Sequence, residues 1–152
     1  TEATTRAGTF PQLSSVLADA AALVPAKGLV VWAAPGSSDL KAVLAHGYGA
    51  DVVARLKPMP RTADNATATA CRTGRTQVVR ATAADTTGAL VAPIVTAHGT
   101  VGCLAVEVPR AAETSDRARA IVDILAAAIA GRFGSEGLFA GSVTPAAEVR
   151  SA

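Results

Sequence analysis

The longest apolar pattern in the chain runs from Ala89 to Val108, where two Val- and Ile-rich stretches flank a polar turn. Neither Ala89–Val95 nor Thr100–Val108 has 3.6-residue spacing, and the two are predicted to pair as strands. Gly99 stands at the turn, where a positive φ carries no steric cost. Apolar residues on both faces of the hairpin require cover on both sides, which puts it at the centre of a sheet. Upstream, Leu13, Val16, Leu17, Ala20, Leu23 and Val24 form a helical stripe, opened by Thr9-Phe10-Pro11 and ended by Pro25. Leu29–Ala34 and Leu40–His46 read as two strands around the turn cluster Pro35-Gly36-Ser37-Ser38. Ala50–Leu56 is a short helix and Pro58-Met59-Pro60 an extended connector. A second short helix spans Ala63–Arg72, with Thr62 or Asp64 as its cap and Gly74 as its stop. Thr76–Arg80 is a third short strand, and Ala81–Gly88 is a polar loop. A final helix, capped by Ser115, carries Ile121, Val122, Leu125, Ala128, Ile129 and Phe133 on its core stripe, and Ile124 widens that stripe.

This order gives an α/β domain of the α+β type: a central antiparallel sheet of five or six strands, terminal helices on one face, and short helices and loops on the other. The expected organisation is a lead-in at 1–9, one domain at 10–133, and a Gly-, Ser- and Pro-rich tail at 134–152 with Leu138 and Phe139 as its anchors.

Composition narrows the function classes. Half of the 152 residues are hydrophobic, yet only three Phe, one Trp and one Tyr are present, so the core is built from Ala, Val and Leu. A net charge of +2, scattered along the chain, and so few aromatic residues exclude a nucleic-acid footprint. No apolar run reaches the roughly 20 residues of a membrane span, and no signal-peptide pattern is visible. A reduced, cytoplasmic setting suits the two cysteines. With no initiator Met, the chain is expected to be a piece of something longer.

Three stretches carry a family resemblance. Leu90-Val91-Ala92-Pro93-Ile94 followed by Gly99-Thr100-Val101-Gly102-Cys103-Leu104-Ala105-Val106 resembles the central hairpin of the GAF domain. Ala70-Cys71-Arg72-Thr73-Gly74-Arg75-Thr76-Gln77-Val78-Val79 is similar to its helix-to-strand step. Leu13–Val24 running into Leu29–Trp32 looks like its opening helix and first strand. The resemblance covers about Phe10 to Phe133. It implies a sensory or regulatory module that binds a small molecule, or one that has lost its ligand and only dimerises. The asparagine-lysine-phenylalanine motif of cyclic-nucleotide-binding members is missing around Asn65, and no bilin-bearing cysteine of the phytochrome kind is visible. In members that reduce free methionine sulfoxide, cysteines stand near the helix-to-strand step, as Cys71 does. The loop Ala81–Gly88, however, offers no second cysteine.

The resulting expectation is a pocket between the sheet and the helix at 63–72, drawn from Trp32, Leu44, His46, Tyr48, Asn65, Thr69, Arg72 and Ala92. Trp32 reads first as core, with a cavity wall as the functional alternative, and His98 reads as exposed turn. Cys71 reads first as a half-buried inert thiol, with a thiolate favoured by Arg72 and Arg75 as the alternative, and Cys103 reads as packing. Neither histidine has an acidic partner placed for a metal or nucleophile constellation, so no catalytic residue, metal or cofactor is assigned. The domain is read as non-enzymatic. Its expected partners are an unknown small molecule and a second copy docked through the terminal helices; the alternatives are a ligand-free dimerisation module and a thiol reductase using Cys71.

Overall fold

The computed structural model describes residues 2–34 and 39–136, with side chains from 13 to 34 and from 39 to 132. The elements run α1 (Glu2–Leu23), β1 (Gly28–Ala33), β2 (Lys41–His46), α2 (Ala50–Ala54), α3 (Ala66–Thr73), β3 (Gln77–Val79), β4 (Thr87–Thr96), β5 (Gly99–Pro109), a 3-10 turn (Ala112–Thr114) and α4 (Asp116–Glu136). The strands form one five-stranded sheet in the order β2-β1-β5-β4-β3, antiparallel at every junction. The expected architecture is therefore present, with five strands.

The central hairpin β4–β5 behaves as its apolar pattern requires. Leu90, Ala92, Ile94, Leu104, Val106 and Val108 join Leu29, Val31 and Ala33 in a core covered by α1 and α4. Leu17 of α1 and Val122 and Ile129 of α4 are among the side chains closed off there. The alternate residues of the same strands, Val30, Trp32, Val91 and Cys103, form a second cluster on the opposite face beneath Ala68, Ala70 and Cys71 of α3. The period-2 alternation of strand side chains sends each strand's apolar residues both ways, so two layers of cover are needed. Gly99 takes φ 103 at the hairpin turn.

Element boundaries moved where local contacts overrode the sequence pattern. The helix α1 begins at Glu2, upstream of Thr9. The strand β4 begins at Thr87 because Thr87 and Gly88 pair with Pro109 and Val108, which takes them out of the expected loop. Leu40 precedes β2 and instead exchanges two backbone hydrogen bonds with Met59, which fastens the proline-flanked connector to the sheet edge. The helix α3 starts three residues later than expected, because its cap is Asn65 and not Thr62 or Asp64: the Asn65 side chain accepts from the Ala68 N–H at 2.8 Å. Ala128, placed on the core stripe of α4, is exposed. The turn at 35–38, the Phe133 side chain and the anchors Leu138 and Phe139 lie outside the described residues. Among those residues, no helix is long and apolar enough to cross a membrane.

Candidate functional site

The face carrying α3 is only partly roofed. Beyond the helix, towards the Glu107 end of the sheet, an open depression of about 320 Å³ is floored by Val30, Ala89, Ala105 and Glu107 and edged by Tyr48, Val79, Asp85 and Thr87. Its floor follows from register. Val30 pairs with Ala105, and Ala105 with Val91; Ala89 pairs with both Glu107 and Val79. Small residues at these positions leave a hollow where larger ones would fill it.

Polar groups converge at one side of the hollow. The Tyr48 hydroxyl donates to Glu107 Oε1 at 3.0 Å, and the Thr87 hydroxyl lies 3.1 Å from Glu107 Oε2. The same Thr87 hydroxyl lies 2.9 Å from Asp85 Oδ1, which also accepts from the Thr87 N–H at 3.1 Å. A threonine hydroxyl has one proton, so it donates to only one of these two carboxylates at a time. The Thr87 bonds hold the Asp85 carboxyl below its ordinary pKa, with a smaller contribution from the Lys27 charge. Burial first, then the bond to Glu107 and its negative charge, push the Tyr48 phenol up to about 12. Tyr48 reaches this position because Gly28 lies beneath its ring. A Cβ at Gly28 would stand 2.4 to 2.7 Å from the ring and hydroxyl atoms, so only glycine lets the phenol lie flat across β1.

Of the eight residues expected to form a pocket, Tyr48 lines this depression. Trp32 is on the same face but packed into the second cluster, paired with Cys103 and Ala42. Asn65 is spent on capping α3. Thr69 donates to the Asn65 carbonyl at 2.7 Å, and Arg72 donates to the carbonyls of Arg61 at 2.7 Å and Ala63 at 2.9 Å, so both side chains tie α3 to its leader. Leu44, His46 and Ala92 are on the opposite side of the sheet. They pair with Val31, Leu29 and Leu104, all in the core under α1 and α4, and cross-strand partners share a face. The structure thus does not bring these three together with α3. Glu107, Asp85 and Thr87 were missed. The available signal was Glu107 itself, a lone carboxylate inside the apolar run Leu104–Val108.

The thiols lie in the second cluster. Cys71 and Cys103 are both free and buried. Cys103 Sγ donates to the Thr67 carbonyl at 3.4 Å, one helical turn before Cys71, and the two thiols share the second cluster and feel each other's charge. Arg61 and Arg72 favour the Cys71 thiolate, but burial outweighs them and pushes this thiol up. Burial pushes Cys103 up further. A thiolate at Cys71 is therefore disfavoured.

No family model matches the chain, and no curated protein matches it in sequence. Solved structures match its fold. The GAF domain of a phosphoenolpyruvate-protein phosphotransferase from Acinetobacter is similar at TM-score 0.72 and 10% identity, over 89% of this chain and 87% of that one. The second GAF domain of DevS from Mycobacterium smegmatis is similar at TM-score 0.67 and 20% identity, over 86% of this chain and 94% of that one. The free methionine-R-sulfoxide reductase of Neisseria meningitidis, solved with its substrate, is similar at TM-score 0.68 and 16% identity, over 86% of this chain and 81% of that one. The chain has the GAF-domain fold. The reductases correct one expectation: because the same fold serves enzymes, the reading of a non-enzymatic domain does not stand.

Proposed function

We propose that this domain is a sensory or regulatory module that binds a small molecule in the depression edged by Tyr48, Asp85, Thr87 and Glu107. The observation that carries this reading is the convergence of those polar groups on a hollow with small apolar walls, the ordinary make-up of a ligand site. Among the described lining residues two are carboxylates and none is basic, so the ligand is one that offers hydrogen-bond donors or positive charge. Ile124, 69% exposed on α4, and Leu23, 55% exposed on α1, support transmission through a homodimer of the terminal helices.

Native mass spectrometry of protein taken directly from its host, followed by thermal-shift screening of small amines against small carboxylates, tests the pocket. A retained molecule, or stabilisation by amines that Glu107→Gln abolishes, is the expected result. An empty spectrum with no shift from either class leaves the ligand-free dimerisation module. Sedimentation of Ile124→Glu tests the dimer: wild type at twice the monomer mass and the variant at the monomer mass is expected. The approach of Cys103 to the Cys71 turn favours a second reading, a thiol-based sulfoxide reductase. Any such activity that survives in Cys71→Ser removes it.

A further inference from the structure

The segment joining β5 to α4 reaches back to the loop that edges the depression. Ala111 sits in the left-handed region at φ 81, a conformation that non-glycine residues adopt only under constraint. This turn drives Glu113, on the 3-10 turn, beneath the β3–β4 connection, where the residue is 5% exposed. Its Oε2 accepts from the Ala81 N–H at 2.9 Å, and the N–H groups of Glu113 itself and of Ala111 also favour the charged carboxylate, which is held below its ordinary pKa. Gly88 makes the room: a Cβ there would lie 2.8 Å from Glu113 Cδ and 2.6 Å from the Val79 carbonyl. Arg110 adds a second tie, donating to the Thr82 carbonyl at 2.6 Å.

The loop so held is closed on itself and continues into the site. Thr82 N–H donates to the Asp85 carbonyl at 2.7 Å, and Asp85 N–H donates to the Thr82 hydroxyl at 2.9 Å. Asp85 then meets Thr87, and Thr87 meets Glu107. On the other side, Ser115 follows Glu113 and caps α4 by accepting from the Ala118 N–H at 3.1 Å. Residues 81–87 are therefore held from the depression by Glu107 and from the helix side by Glu113.

We propose that Glu113 is a latch that couples the state of the depression to the first turn of α4, through the loop 81–87. This inference rests on the pocket reading above. The Glu113 carboxylate joins the loop to the turn that leads into α4, so anything that moves Asp85 or Thr87 is carried to residues 112–118 through this one contact.

Amide hydrogen exchange on the ligand-free protein tests the latch with Thr87→Val in two backgrounds. In the wild-type background, Thr87→Val is expected to speed exchange at Ala81 and across residues 112–118 by about tenfold. In Glu113→Ala those amides already exchange fast, and Thr87→Val adds less than about twofold, as coupled sites require. Equal increments in both backgrounds, or no response at 112–118, overturn the latch. Should Glu113→Ala not fold, Glu113→Met, which fills much of the same space and offers no acceptor oxygen, is read by the same criterion. Because no ligand is used, coupling in a protein that binds nothing sinks the pocket reading alone. Binding in a protein with equal increments sinks the latch alone.

Discussion

Tyr48 is the only tyrosine in the chain, so its ionisation is directly visible in the near-ultraviolet. Its phenol is half-buried against Gly28 and bonded to Glu107, and both disfavour the phenolate. The folded pKa lies above the unfolded value. Its stabilising contribution is therefore complete below pH 10 and lost as pH rises through about 12. Absorbance titration at 295 nm is expected to give a midpoint near 12 in the native protein and near 10 in urea. In Glu107→Gln the native midpoint falls only part of the way, because burial is the larger cause. A native midpoint at 10 would mean that the phenol does not lie against Glu107. Tyr48, expected as a pocket residue, lines the depression. Glu107, Asp85 and Thr87 were not legible as site residues, since nothing in sequence separation links residue 48 to residues 85 and 107.

Within single elements, local chemistry decided boundaries that periodicity left open. The segment at 62–65 offers three candidate caps, Thr62, Asp64 and Asn65, with equivalent side-chain chemistry. Arg72 selects among them by donating to the carbonyls of Arg61 and Ala63, which holds those residues out of the helix and leaves Asn65 at its start. Replacing Asn65 with Ala is expected to cost about 1 kcal/mol of stability, while Asn65→Asp retains most of it. Urea unfolding midpoints of the two variants measure this, and a loss on Asp64→Ala with none on Asn65→Ala would contradict the assigned cap. Capping also explains why Asn65 and Thr69, polar residues on a small helix, are absent from the pocket. Their hydrogen bonds are local.

At the level of the whole molecule, the two faces of the sheet differ in how completely they are closed. Under α1 and α4 the core is continuous, and Leu104, Leu90, Ile94 and Ile129 have no solvent exposure. Leu104→Ala there is expected to cost about 3 kcal/mol, through lost transfer energy and the cavity left behind. On the other face Ala105 borders the hollow and is only partly buried. Ala105→Val is expected to leave stability within about 0.5 kcal/mol while filling part of the depression, the behaviour of a site already open to solvent. Thermal denaturation of both variants, with ligand screening of Ala105→Val, checks the contrast. Comparable losses in the two would mean that both faces are closed core.

By itself, the sequence determined the elements and the class of fold. Alternating strand residues, the punctuation at Pro25, Gly74 and Gly99, and two long amphipathic helices are local signals, readable because side-chain period and turn chemistry act over a few residues. The face onto which each strand residue turns was decided only by register in the assembled sheet. One shift of a single residue would exchange Leu44, His46 and Ala92 with their neighbours across the sheet. The meeting of Tyr48, Asp85, Thr87 and Glu107, and of Glu113 with Ala81, likewise belongs to the tertiary structure. These contacts join residues far apart in sequence, and no local pattern encodes a distance between strands.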